Sequence, residues 1–174
     1  MRRVSRQAVW FTAVTLVVLG AGALHSYVAQ SRFDEVKIEA EKVADGIYML
    51  KGAGGNMGVS VGADGVLLID DQFSEVAGGI RAASGERGGG APTFLLNTHY
   101  HGDHTGGNAE FSATTPILAH DNVRARLVSG HQAMGGESKP SPPEALPVIT
   151  YSQGVTLHFN GEEIQLRHFP AGHT

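Results

Sequence analysis

The stretch Asn97-Thr98-His99-Tyr100-His101-Gly102-Asp103-His104-Thr105-Gly106-Gly107-Asn108 sets four side chains able to ligate a metal (His99, His101, Asp103, His104) within six residues. It grows out of Thr93 to Thr98, a run that predicts a buried strand, so the cluster stands at a strand's carboxyl end, where loops converge on a crevice. In extended backbone, side chains at i and i+2 project the same way, so His99 and His101 can grip one ion. Gly102 then permits a turn that sends Asp103 and His104 elsewhere. Two neighbouring ions, or one ion and a water, follow from that spacing. The chain has no cysteine, which excludes thiolate nucleophiles, disulfides and Cys-based metal sites and leaves His, Asp and Glu as the ligands. Imidazole and carboxylate suit zinc, and water bound to catalytic zinc has a pKa of about 7.

Upstream of the cluster, Ile47 to Leu50 suits a strand and Gly52 to Asn56 a loop. Val59 and Val61, the Ala63-Asp64-Gly65 turn and Val66 to Ile69 read as a hairpin whose second strand is buried on both faces and ends at Asp70-Asp71. Phe73, Val76 and Ile80 recur at helical steps, and the helix they predict breaks at Gly85 to Gly90. Downstream, Thr105 to Asn108 reads equally as a helix start or a plain loop. Ile117 to Ala119 is a short strand, His120 to Val128 a helix opened by Asp121 or Asn122, and Ser129 to Pro147 a long loop. Val155, Leu157 and Phe159 alternate, Asn160-Gly161 makes a turn, and Ile164 and Leu166 alternate again, which predicts an antiparallel pair.

The other histidines carry simpler readings. His120 begins a helix, His131 lies in the long loop and His158 faces away from the apolar side of its strand. His168 shares a face with Ile164 and Leu166 and reads as a hydrogen-bonded core residue. Asp70 ends a buried strand, and reads as a carboxylate that fixes a loop or orients a ligand and not as a ligand itself.

With 174 residues, 41% of them hydrophobic, the chain suits one globular domain. Arg2, Arg3 and Arg6 precede an uncharged, mostly apolar run from Ala8 to Leu24, so residues 1–30 read as an export signal or an uncleaved membrane anchor, and 31–174 as the folded domain. Ala21-Gly22-Ala23 offers a cleavage site. The domain is therefore expected outside the cytoplasm, in the periplasm or a similar space, secreted or held at the inner membrane. Formal charge is −4 overall, and beyond residue 30 ten basic groups face seventeen acidic ones. That balance argues against nucleic acid as a partner.

The stretch from Asn97 to Asn108 resembles the signature of the metallo-β-lactamase superfamily of metallohydrolases. Leu68-Ile69-Asp70, Gly54-Gly55-Asn56 and Ala171-Gly172-His173-Thr174 agree with it, and the likeness runs from about Val43 to Thr174. The resemblance implies an α/β fold, the αββα sandwich, of which this chain holds the first half and the start of the second. It implies that His99, His101 and His173 bind a first zinc and that Asp103 and His104 contribute to a second, Asp103 also orienting or deprotonating the attacking water. A later bridging aspartate and a final histidine have no counterpart before Thr174. The chain is therefore expected to be a truncated piece of a longer protein, binding metal poorly and inactive as it stands.

The leading expectation is a zinc-dependent hydrolase whose metal-bound hydroxide cleaves an ester, amide, lactone or thioester-type bond of a small molecule, β-lactams included. Iron suits the same donors. The alternative is a noncatalytic metal- or ligand-binding accessory protein of the periplasm.

Overall fold

The structure, a computed structural model, describes residues 33–88, 90–133 and 136–172, apart from the side chains of 131–133 and 136–138. The expected signal or anchor and the candidate ligand His173 lie outside the described residues. The chain divides into two compact units, Met1–Val36 and Lys37–Thr174. The described part of the first is a turn closed by Val36 N–H donating to the Phe33 carbonyl. No helix among the described residues is long and apolar enough to cross a membrane.

The second unit is built on a seven-stranded mixed sheet with strand order β1-β2-β3-β4-β5-β6-β9. Strands β1 (Glu39–Ala44), β2 (Ile47–Lys51), β3 (Met57–Gly62) and β4 (Gly65–Ile69) form an antiparallel meander with Leu50 opposite Met57 and Val59 opposite Leu68. From β4 onward the pairing is parallel, through β5 (Phe94–Leu96), β6 (Ile117–His120) and β9 (Ile149–Tyr151). The sequence pattern conceals β1, because its outward charges mark an edge strand: Glu41 and Lys51 pair at 2.6 Å across its solvent side. By contrast Val66, Leu67 and Leu68 are buried on both faces, as their unbroken apolar run requires.

Parallel pairing needs crossovers, and helices supply them. A 3₁₀ turn (Ser74–Val76) and α1 (Ala77–Gly88) join β4 to β5, burying Ala77 and Ile80. The helix ends at Gly88, inside the Gly85 to Gly90 stretch expected to break it. At its last residue a Cβ would meet Val66 Cγ2 at 2.1 Å, so only glycine lets the helix seat on β4 there. Two single-turn helices, α2 (Gly102–Thr105) and α3 (Asn108–Phe111), join β5 to β6. Arg81 of α1 lies over the Phe111 ring of α3 at 4.8 Å.

Between β6 and β9 come α4 (Asp121–Ser129), a small hairpin of β7 (His131–Ala133) and β8 (Gly136–Ser138), and a 3₁₀ turn at Pro143–Ala145. The long loop expected from Ser129 to Pro147 is thus partly structured. Its glycines and prolines obscured strands of three residues, too short to show a period. His120 is not the first helical residue but the cap of α4: its Nδ1 accepts from Asn122 N–H at 3.1 Å.

The final hairpin, β10 (Gly154–Phe159) and β11 (Glu162–Arg167), pairs Leu157 with Ile164 and Val155 with Leu166. It is a separate two-stranded sheet, and its Phe159 and Leu166 form one core cluster with Leu67 and Leu96 of the large sheet. Val66 and Leu67 are adjacent, so α1 and this hairpin cover opposite faces of β4. The result is an α/β layering with a helical layer, a seven-stranded sheet and a two-stranded sheet packed on its other face.

The hairpin is held in place at its turn. Asn160 N–H donates to Asp64 Oδ2 at 2.6 Å, Asp64 N–H donates to Asn160 Oδ1 at 3.0 Å, and Asn160 Nδ2 reaches Ser60 Oγ at 3.1 Å. Asn160 sits at φ 56°, a left-handed conformation that asparagine tolerates better than most residues.

Candidate metal centre

The stretch from Asn97 to Asn108 leaves β5 and is closed on itself by a buried pair of amides. Asn97 Nδ2 donates to Asn108 Oδ1 and Asn108 Nδ2 donates to Asn97 Oδ1, both at 3.0 Å, while Asn108 Nδ2 also reaches the Ala145 carbonyl at 2.8 Å. Both side chains have no solvent exposure. Gly106 and Gly107 follow because the backbone is crowded: a Cβ at Gly106 would meet the Gln72 carbonyl at 2.7 Å, and one at Gly107 the Asp71 carbonyl at 2.8 Å.

Within this loop Asp70 organises the rings. It sits at the end of β4 at φ 61° and 3% exposure. Oδ1 accepts from Thr98 N–H at 2.7 Å, and Oδ2 accepts from Thr98 Oγ1–H and from His104 Nδ1, each at 2.7 Å. Since the Thr98 hydroxyl spends its single proton on Asp70, it accepts from His99 Nδ1–H at 3.0 Å. One carboxylate therefore sets the tautomer of two imidazoles, and in both neutral rings the lone pair falls on Nε2. The same hydrogen bond, ahead of an opposing effect of burial, raises the His104 pKa above its ordinary value, with the Asp70 and Asp103 charges adding to it.

The rings gather closely. His99 and His104 have centroids 4.1 Å apart, His99 and His101 4.9 Å, and an Asp103 carboxylate oxygen stands 3.5 Å from His104 Nε2. The expectation that Gly102 sends Asp103 and His104 elsewhere gives way to a tighter arrangement. Residues 98–100 bend, Gly102 opens the single-turn α2 with His101 as its extended cap, and that turn carries the His104 ring back beside His99.

The loop from Gly52 to Asn56 packs over the cluster. A Cβ at Gly55 would meet His104 Cε1 at 2.3 Å, and one at Gly54 would meet Asp103 Cβ at 2.9 Å. Gln72, fully buried and at φ 54°, holds this loop, accepting from Ala53 N–H at 3.0 Å and donating to the Gly55 carbonyl. The sequence pattern gave no role to Gln72, nor to the sides of Asn97, Thr98 and Asn108 that do this positioning. The available signal was a run of amides and acids at positions a core would fill with apolar groups.

Elsewhere, His158 is exposed, as its strand position requires. His168 is not a core residue: it lies beyond the end of β11, half-buried, its ring stacked on His120 at 4.0 Å and 13°. The face it shares with Ile164 and Leu166 ends at the sheet's margin, where an aromatic partner replaces the core.

The donor chemistry fits a divalent cation. One donor atom from each of Asp70, His99 and His104 lies within 4.8 Å of the others. Asp70 is committed to Thr98 and His104, and so orients the rings, whereas His99, His101, Asp103 and His104 present nitrogen and oxygen donors suited to zinc or iron.

An α/β sheet thus carries a histidine–aspartate cluster at the carboxyl ends of its parallel strands. Residues 51–174 match the family described as Metallo-beta-lactamase superfamily, and the chain belongs to it. No curated protein matches the chain. Among solved structures, it is similar to a metallo-beta-lactamase from Cronobacter sakazakii with an HARLDQ motif, at 18% identity and TM-score 0.60, over 78% of this chain and 50% of that one. It is similar also to the subclass B3 metallo-beta-lactamase of Bradyrhizobium japonicum, at 22% identity and TM-score 0.58, over 78% of this chain and 59% of that one. A beta-lactamase from Chitinophaga pinensis aligns at 18% identity and TM-score 0.61, covering 78% and 54%. The chain spans about half the length of these structures, and the likeness is one of fold.

Proposed function

We propose that this protein is an exported, zinc-dependent hydrolase that uses water to cleave an ester, amide, lactone or thioester-type bond of a small molecule. The observation that carries the proposal is the convergence of three imidazoles and the Asp103 carboxylate at the carboxyl end of the parallel strands, with the tautomers of two rings set by Asp70.

In this reading His99, His101 and His173 hold a first ion, and Asp103 and His104 contribute to a second. Zinc bound there supplies Lewis acidity and lowers the pKa of the water it holds. The protein's part is positional. Asp70 and Thr98 hold the proton of each neutral ring on Nδ1, which leaves the Nε2 lone pairs of His99 and His104 to the ions, and Gln72 holds the glycine loop against the cluster. Asp103, the more exposed carboxylate, orients the attacking water and takes its proton.

The neighbours named as beta-lactamases support a cyclic amide as one member of the bond class, although a shared fold does not select a substrate. Arg2, Arg3 and Arg6 ahead of the apolar run support export to the periplasm, with attachment to the inner membrane where that run is kept. In the full-length protein, replacing His101 with Ala should abolish both zinc binding and hydrolysis across a panel of esters, lactones and β-lactams. Unchanged hydrolysis would end the proposal. Retained zinc with no turnover by the full-length wild-type protein would replace it with the noncatalytic accessory reading, and metal analysis after growth in defined medium separates zinc from iron.

A further inference from the structure

A cavity of about 310 Å³ opens beside the cluster, with His99 and Thr98 in one wall. Its opposite side comes from four elements: His120 at the end of β6, Asn122 and Arg126 of α4, Tyr151 at the end of β9, and Arg167 with His168 at and just beyond the end of β11. None of its lining residues is acidic, although the chain carries a net charge of −4. Two guanidiniums stand in it, and among the described residues neither Arg126 nor Arg167 pairs with a carboxylate. Arg126 lies over the buried Tyr100 ring at 4.6 Å, and Arg167 donates to Gln165 Oε1.

The remaining surface is aromatic and fixed. His120 donates from Nε2 to the Ser152 carbonyl at 2.7 Å and accepts at Nδ1 from Asn122 N–H, so both nitrogens are occupied in the neutral ring. Its faces are left for packing. His168 stacks on one of them, and Tyr151 meets the ring edge-on at 5.5 Å between centroids.

We propose that this cavity is the substrate subsite, and that it takes a planar aromatic or heteroaromatic body bearing a carboxylate. The ring packs on the His120–His168 pair, the carboxylate is gripped by Arg126 and Arg167, and the bond to be cleaved faces His99. Guanidinium recognises the flat carboxylate through parallel hydrogen bonds, and aromatic surfaces match planar groups. For the fate of the ligand this rests on the hydrolase reading; for its binding it does not.

The test is calorimetric titration of the full-length protein in excess zinc with 2-naphthoate and with its neutral isostere 2-naphthamide. The acid should bind about tenfold more tightly than the amide, a difference of about 1.4 kcal/mol. Arg126→Met and Arg167→Met, exposed positions whose replacements keep the aliphatic stem, should each reduce that preference to about twofold, while His101→Ala should keep it. Equal binding of acid and amide overturns the proposal. So does a preference that survives both Met variants but vanishes in His101→Ala, because the carboxylate then sits on the cation. A preference that behaves as expected in a protein that hydrolyses nothing removes the hydrolase reading and leaves the subsite standing.

Discussion

Exchanging Asp70 for Asn changes one oxygen for an amide nitrogen and nothing in volume, yet the geometry gives it a disproportionate effect. Asparagine tolerates the φ of 61° at this position, so the backbone is not the source of the change. The Asn oxygen can still accept from Thr98 N–H. The Nδ2 group, however, now faces the Thr98 hydroxyl and His104 Nδ1, two partners that donated at 2.7 Å to the carboxylate. Both must become acceptors. The hydroxyl then turns its proton toward His99 Nδ1, and the protons of His99 and His104 move to Nε2.

Losing two charge-assisted bonds and retaining neutral ones should cost about 2 kcal/mol of stability. Reversing the outer hydrogen bond of a ligating histidine lowers metal affinity by roughly 10- to 100-fold, and here two rings reverse together, so a loss of about 100-fold or more is expected. Competition against a fluorescent zinc chelator reads the affinity. Urea unfolding in excess EDTA reads the stability, and nitrogen-15 spectra of the imidazoles read the tautomers. Unaltered zinc affinity with both rings still protonated at Nδ1 would refute the reasoning.

Gly55→Ala should cost about 2 kcal/mol or more and displace the His104 ring, since its Cβ would stand 2.3 Å from Cε1; an unshifted His104 resonance would contradict this. Burial, ahead of an opposing hydrogen bond from Gly107, raises the Asp71 pKa well above 3.8, and one of its oxygens has no hydrogen-bond partner. A raised carboxylate keeps its full contribution below the unfolded value and loses stability as pH rises toward the folded one. In EDTA, the wild-type protein should therefore fall relative to Asp71→Asn by up to about 1.4 kcal/mol per pH unit above pH 4; a pH-independent difference in urea unfolding would refute it. Asn160→Gly preserves the left-handed turn but removes its side-chain bonds, and should cost about 1–2 kcal/mol, whereas Asn160→Ala should cost more by adding backbone strain, as thermal unfolding would show.

The sequence revealed what repeats or clusters. The alternation of Val155, Leu157 and Phe159, the buried run Val66 to Ile69 and the density of His99, His101, Asp103 and His104 each carry a local pattern that tertiary structure had only to assemble. What stayed hidden depends on partners far along the chain. Strand β1 is nearly all exposed and so shows no apolar period. That the last residue of α1 must be glycine follows from Val66, which leaves no room for a side chain at Gly88. The bend at residues 98–100, which brings His104 to His99, is drawn by Asp70, some thirty residues earlier and on another strand. Gln72, Asn97 and Asn108 act through side-chain amides whose partners no spacing rule names.

The contacts of Asp64 with Asn160 join positions 96 residues apart. Closing so long a segment costs about 4 kcal/mol of chain entropy, whereas the histidine corner is closed by bonds over much shorter separations. Docking of the last hairpin is thus expected late on the folding route, and Arg167 and His168 arrive with it. The corner of Asp70, His99 and His104 would then stand for a time as an open shelf, ahead of the wall that Arg167 and His168 bring to the neighbouring cavity.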